Sequence, residues 1–213
     1  MPVSRLALAA PSEDSGRLSD EVQLYQRTYT TLLRSSGETQ LRVLESSHRA
    51  TGSSLHPLAA TEYAGWQQAW RATLDTNLLG PANLCHLAGN AMLAAGGGRV
   101  VSISSRGAFR GEPEAPAYAA SKAGLNALSQ SLARALAAQG VYFYVVAPGW
   151  VATDMANSHL EGPEGAEILA QHPLGRVASP EEVAAAAVFC ALDAPPAMTG
   201  SILDVNGASY LRT

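Results

Sequence analysis

Tyr118 and Lys122 stand four residues apart in the small-residue stretch PAYAASKAG, residues 116 to 124. On a helix that spacing puts both side chains on one face, with their Cβ atoms about 5–6 Å apart. A phenol ordinarily titrates near pH ~10, and an ammonium beside it favours the phenolate, bringing the group toward a useful acid/base range. Such a pair can give a proton to a carbonyl oxygen or take one from an alcohol. A carbonyl also needs a second donor for its developing negative charge, and Ser104 or Ser105, at the end of a β-rich run, can supply a hydroxyl. Read alone, Tyr-x-x-x-Lys describes surface packing on an alanine-rich helix equally well. The pair acquires chemistry only if other elements bring it to the serines.

From about residue 60 the pattern alternates long amphipathic stretches with short β-branched runs, the mark of a doubly wound parallel sheet with helices on both faces. Thr61 is placed to cap a long first helix running toward Leu93, with Trp66, Trp70, Leu74, Leu78, Leu84 and Leu87 on or near one face and Gly96 to Gly98 as its stop. RVVSIS, 99 to 104, reads as a central strand buried on both faces. A second helix is expected from Pro116 to Gln139, with Gly140 as its stop, followed by a buried strand over Val141 to Ala147 that Pro148 and Gly149 break. Residues 150 to 178 form a long connection with room for short helices. Ser179-Pro180-Glu181-Glu182 is a helix start, and SILDV a last strand. In such sheets ligands bind outside the carboxyl ends of the strands, where the serines and Pro148-Gly149 both fall.

The 213 residues, 47% hydrophobic and 15% charged, can bury a substantial core, and the length favours one domain. A net charge of −4, with Arg99, Arg106, Arg110, Arg134 and Arg176 scattered singly, offers no footprint for nucleic acid. Cys85 and Cys190 sit in apolar helical patterns without metal or redox spacing, as expected of buried thiols in a reducing compartment. His48, His56, His86, His159 and His172 form no pair at ligand spacing, so no metal site is expected. The start of the chain lacks a basic segment followed by an apolar core, and the longest apolar run, 184 to 192, is far too short to span a bilayer. These features point to the cytoplasm, to no membrane, and to a small-molecule partner.

The segments DTNLLG (75 to 80), VVSISS (100 to 105), YAASK (118 to 122) and VVAPGWVATDM (145 to 155), with PLGRVASPEEVA and TGSILDVNGA after them, together resemble the short-chain dehydrogenase/reductase family. Tyr118 follows Ser105 by 13 residues and Asn77 by 41, separations typical of that family's catalytic set. The resemblance covers about residues 55 to 210 and implies a Rossmann-like fold. It implies that Tyr118 is the general acid/base, that Lys122 lowers its pKa and binds the nicotinamide ribose, and that Ser105 polarises the substrate carbonyl. Ser104 is left to support the strand end. Asn77 would hold a water linking Lys122 to solvent, or else satisfy a helix carbonyl. Pro148, Gly149, Val151 and Thr153 match positions near the nicotinamide carboxamide and phosphates; for Thr153 and Asp154 a turn or helix cap is the alternative. The implied reaction is reversible hydride transfer between NAD or NADP and a carbonyl or secondary alcohol. The two long helices, 62 to 93 and 116 to 139, would pair with another copy as a homodimer or homotetramer.

The beginning of the sequence departs from that pattern. Before residue 62 the only glycines are Gly16, Gly37 and Gly52, too widely spaced for a glycine-rich phosphate turn, and the family's Asn-Asn-Ala-Gly segment is absent. The expected organisation is one Rossmann-like domain over 1 to 213, with an abbreviated nucleotide-binding part in 1 to 60 and a catalytic part in 61 to 213. Within the first part, VSRLALAA (3 to 10) is a strand candidate. Ser19 or Asp20 can cap a helix bearing Val22, Tyr25, Tyr29, Leu32 and Leu33, and QLRVLE (40 to 45) is a short strand with SSHRATG after it. A non-catalytic scaffold with impaired dinucleotide binding is therefore the competing expectation.

Overall fold

The structure is a computed structural model that describes residues 30–34, 41–45, 55–153, 156 and 159–212. Its sheet has five strands in sequential order: β1 (Thr30–Arg34), β2 (Leu41–Glu45), β3 (Gly98–Ile103), β4 (Val141–Pro148) and β5 (Ile202–Val205). β2 to β5 are parallel, with Val100 opposite Phe143 and Val146 opposite Leu203. β1 joins the edge antiparallel, Thr30 opposite Glu45. The helix expected to reach Leu32 and Leu33 therefore does not cover them: that end, TTLLR, is a strand, because pairing with the neighbouring LRVLE segment overrides the helical spacing. Its earlier turns, the strand candidate at 3 to 10 and the SSHRATG segment lie outside the described residues.

The helices are α1 (Tyr63–Leu74), α2 (Gly80–Ala94), α3 (Gly107–Arg110), α4 (Pro116–Leu136), α5 (Gly165–Ala170) and α6 (Pro180–Leu192). They cover both faces of the sheet. On one face Val100, Val141 and Phe143 pack with Cys85 and Met92 of α2 and Ala133 of α4. On the other, Val101, Tyr144 and Val146 pack with Cys190 and Ala191 of α6. Val100 and Val101 thus serve opposite cores, which is why adjacent positions of this central strand are both apolar instead of alternating with polar residues. Burying each such side chain contributes about 1.5–3 kcal/mol. Burial also pushes the Cys85 thiol up to about 12, so it is an apolar filler at neutral pH.

The first long helix is interrupted. Its N-cap is Glu62, and Thr61 instead donates its hydroxyl to the Pro57 carbonyl at 2.8 Å. Between α1 and α2, Asp75–Leu79 forms a π-helical turn, with Gly80 N–H bonded to Asp75 O. The cause lies in Gly80-Pro81: proline has no N–H to return to the carbonyl four residues back, which is that of Asn77, and its ring crowds that carbonyl. Elsewhere the helix signals act as expected. Gly140 takes φ +78° beyond α4, and Ser179 and Glu182 form a reciprocal capping box at the start of α6. No described helix is long and apolar enough to cross a membrane.

Candidate active site

The parallel ladder continues past β3, with Ser104 N–H donating to Val146 O at 2.7 Å and Arg106 N–H to Pro148 O at 2.8 Å. Ser105 is therefore held at the carboxyl edge of the sheet, between two anchored residues. Its hydroxyl accepts from Gly107 N–H at 3.0 Å and lies close enough to the Tyr118 phenol to lower that group's pKa. Ser104 is buried and donates to the Lys122 carbonyl at 3.3 Å, tying the strand end to α4 as its supporting role requires.

Tyr118 and Lys122 are neighbours on the first two turns of α4. The Lys122 Nζ stands 5.8 Å from the centroid of the Tyr118 ring and donates to Ile103 O at 3.0 Å, while the side chain is 2% exposed. Helix spacing brings the pair together, and the Ile103 carbonyl fixes the ammonium beneath the strand end. Burial pushes Tyr118 up, the Ser105 hydroxyl lowers it, and the Glu112 carboxylate raises it further. The desolvation of a phenolate outweighs the stabilising groups, so the phenol is protonated at neutral pH.

Asn77 lies in the π-helical turn, fully buried. Its amide donates to Ser121 Oγ at 3.3 Å, and Ser121 Oγ donates to the Tyr118 carbonyl at 2.7 Å. Asn77 therefore reaches α4 through Ser121, a residue the motif reading passed over, while its Oδ1 is buried without a hydrogen-bond partner in the protein. Gly124 permits this approach, since a Cβ there would stand 2.9 Å from Leu78 of the π-helical turn. His56 supports the start of α4: its Nε2 accepts from Ala117 N–H at 3.2 Å and its backbone N–H donates to Glu114 O at 2.8 Å.

Residues 50–208 match the family model described as Enoyl-(Acyl carrier protein) reductase. The chain belongs to the short-chain dehydrogenase/reductase family. Within that family it is 39% identical over 142 residues to the 3-oxoacyl-[acyl-carrier-protein] reductase FabG of Salmonella typhimurium, covering 67% of this chain and 58% of that protein. It is 36% identical over 143 residues to the acetoacetyl-CoA reductase of Rhizobium meliloti, covering 67% and 59%. Among solved structures, a chain described as an NAD(P) dependent gluconate 5-dehydrogenase from Beutenbergia cavernae, with NADP bound at low occupancy, superimposes with a TM-score of 0.66 at 38% identity, covering 72% of this chain and 60% of that one. The chain thus spans under three fifths of the length of these curated relatives.

The short-chain dehydrogenase/reductase residues after β4 are placed less tightly. Pro148 gives its carbonyl to Arg106, and Gly149 N–H donates to Val205 O at 3.1 Å. Val151 forms a parallel bridge with Ala178. Thr153 is exposed and its Oγ1 accepts from Ala156 N–H at 3.3 Å, which is the turn-capping alternative; Asp154 lies outside the described residues. The donor set fits the nicotinamide end of a dinucleotide, with phenol and ammonium converging on one strand end and the buried Asn77 Oδ1 unpartnered behind them. For the pyrophosphate end, no glycine-rich turn joins a strand to a helix among the described residues.

Sequence reasoning also missed a polar cluster beside Ser105. Arg106 and Arg110, read as scattered, both donate to Gln171 Oε1, each at 3.2 Å, and Arg110 Nε pairs with Glu112 at 3.5 Å. Nothing in the spacing of 106, 110, 112 and 171 announces this meeting, because Gln171 arrives from the long connection after β4.

Proposed function

We propose that this chain carries the catalytic part of an NAD(P)-dependent oxidoreductase acting on a carbonyl or secondary alcohol. The observation that carries this reading is the convergence at the carboxyl edge of β3 of Ser105, held there by its bond from Gly107 N–H, and Tyr118, whose ring centroid stands 5.8 Å from Lys122 Nζ. When bound, a nicotinamide supplies or accepts the hydride at the reacting carbon. Tyr118 Oη, protonated at neutral pH because of its burial, gives its proton to the carbonyl oxygen in reduction and recovers it in oxidation. Ser105 donates to the same oxygen as negative charge develops, and the Lys122 ammonium favours the phenolate left behind. Asn77, through Ser121, fixes the α4 turn that carries Tyr118. Pro148, Gly149, Val151 and Thr153 line the approach for the nicotinamide carboxamide and phosphates.

The test is a calorimetric titration with NADH and NADPH, followed by turnover of a ketone panel. Micromolar binding with turnover is the expected result. Binding without turnover on any ketone or alcohol sinks the catalytic assignment.

One observation favours the competing reading, a non-catalytic scaffold: β1 closes the β2 edge of the sheet antiparallel, where a complete dinucleotide fold continues with parallel strands. Under that reading neither cofactor binds. In both, the protein acts in the cytoplasm as a homodimer or homotetramer through the helices around residues 62 to 93 and 116 to 139. Exposed Leu79 and Leu87 on the first of these support that pairing. Sedimentation measures it directly, and a monomer at micromolar concentration overturns it.

A further inference from the structure

The cluster beside Ser105 is electrostatically unfinished. Arg106 is 3% exposed, its Nη1 is buried without a hydrogen-bond partner, and its Nη2 donates to Gln171 Oε1. Arg110 approaches the same oxygen from the solvent side. Two guanidiniums thus share one neutral amide oxygen, although guanidinium forks match anions and their charge-assisted hydrogen bonds are about twice as strong as neutral ones. Among the described residues the carboxylate paired in this cluster is Glu112, which bonds Arg110 and lies over Gly107, so that the described cluster holds two guanidiniums and one carboxylate. A buried cation with an unmade hydrogen bond is costly unless a further group completes it.

The position gives this imbalance a use. Arg106 follows Ser105 directly, α3 and Glu112 continue from it, and Glu112 is close enough to act on Tyr118. Gln171 belongs to the connection after β4, held to the rest of the protein at its start by the Val151 bridge with Ala178. Its amide is a displaceable occupant between the two arginines. We propose that Arg106 and Arg110 form a subsite for a carboxylate carried by the substrate, whose oxygens replace Gln171 Oε1 and complete the unpaired Arg106 nitrogen. The substrate class is then a carbonyl or alcohol compound that also bears a carboxylate. This rests on the reading of Ser105 and Tyr118 as the reacting centre.

The test separates the two. Succinate, titrated into the full chain at fixed ionic strength, raises the melting midpoint by about 2–4 °C, and the uncharged succinamide does not. The rise disappears in Arg110→Gln, which removes one arm at the surface, and in Gln171→Glu, which places a carboxylate between the arginines permanently. No difference between succinate and succinamide, or a succinate response that persists in either variant, overturns the subsite. In turnover, a keto acid is preferred over its amide by roughly 10- to 100-fold in kcat/KM, and the preference is lost in Gln171→Glu. Turnover with no such preference removes the subsite and leaves the reacting centre standing. A succinate response that meets these conditions, in a protein that turns over no ketone or alcohol, keeps the subsite and removes the reacting centre.

Discussion

The two segments that leave the carboxyl edge of the sheet are built differently. After β3, each residue is anchored: Ser104 and Arg106 to β4, Ser105 to Gly107, and Lys122 back to Ile103. After β4, the chain is pinned at Gly149 and at the bridge of Val151 with Ala178, and beyond them it is held by local turns and by side chains such as Gln171. Proton transfer tolerates little misplacement, and on the proposed reading the groups that perform it sit on the anchored side. On the same reading, recognition of the substrate falls to the connection after β4.

The sharpest way to break this contrast is Tyr118→Phe. Removing one oxygen from the anchored side lowers turnover by about 10²- to 10⁴-fold with little change in cofactor affinity, as steady-state kinetics and titration will show. Activity surviving the change would move the proton donor elsewhere. The same residue sets a pH signature. Because burial raises the Tyr118 pKa above its usual value of 10.0, reduction shows no loss from phenol ionisation until pH passes above that value, while the oxidation rate climbs across the same range. An oxidation limb titrating near neutrality would show that Lys122 governs the phenol.

Stability measurements sharpen the comparison with smaller effects. Asn77→Ala leaves a fully buried void and removes the bond to Ser121, and is expected to cost about 1–3 kcal/mol in denaturant unfolding. Ser179→Ala, at the far end of the connection after β4, removes a cap worth about 1 kcal/mol and lowers the melting midpoint by about 2–4 °C with turnover unchanged. The smallest effect belongs to Glu182, whose carboxyl Arg176 and the Ser179 N–H hold down from 4.5 to about 2. A depressed carboxylate stabilises the fold above its unfolded pKa and loses that contribution as pH falls through the folded one. Wild type and Glu182→Gln therefore differ modestly in midpoint above about pH 4.5 and converge toward pH 2. A gap that persists at pH 2 would assign the difference to packing.

Much of this arrangement follows from local rules. Helix periodicity puts Tyr118 beside Lys122, a short, mostly apolar and β-rich run makes β3 a strand with two buried faces, and Ser179 with Glu182 starts α6, because each depends on residues a few positions apart. Local rules failed where a distant partner or a single backbone defect decided the outcome. Leu32 and Leu33 suit a helix face until β2 pairs with them, and the long first helix looks continuous until Pro81 opens the turn that carries Asn77.

The sequence by itself determined the chemistry at the end of β3, since the phenol, ammonium and hydroxyl are specified by type and by short separations on a strand and a helix. It also determined the alternation of strands and helices from residue 60 onward. Only the tertiary structure decided that burial is the largest influence on the Tyr118 phenol and raises its pKa, and that Arg106 and Arg110 converge on Gln171. Desolvation and charge depend on which groups the fold brings within a few ångströms, and residues 106 and 171 become neighbours only when the connection after β4 returns to the catalytic edge.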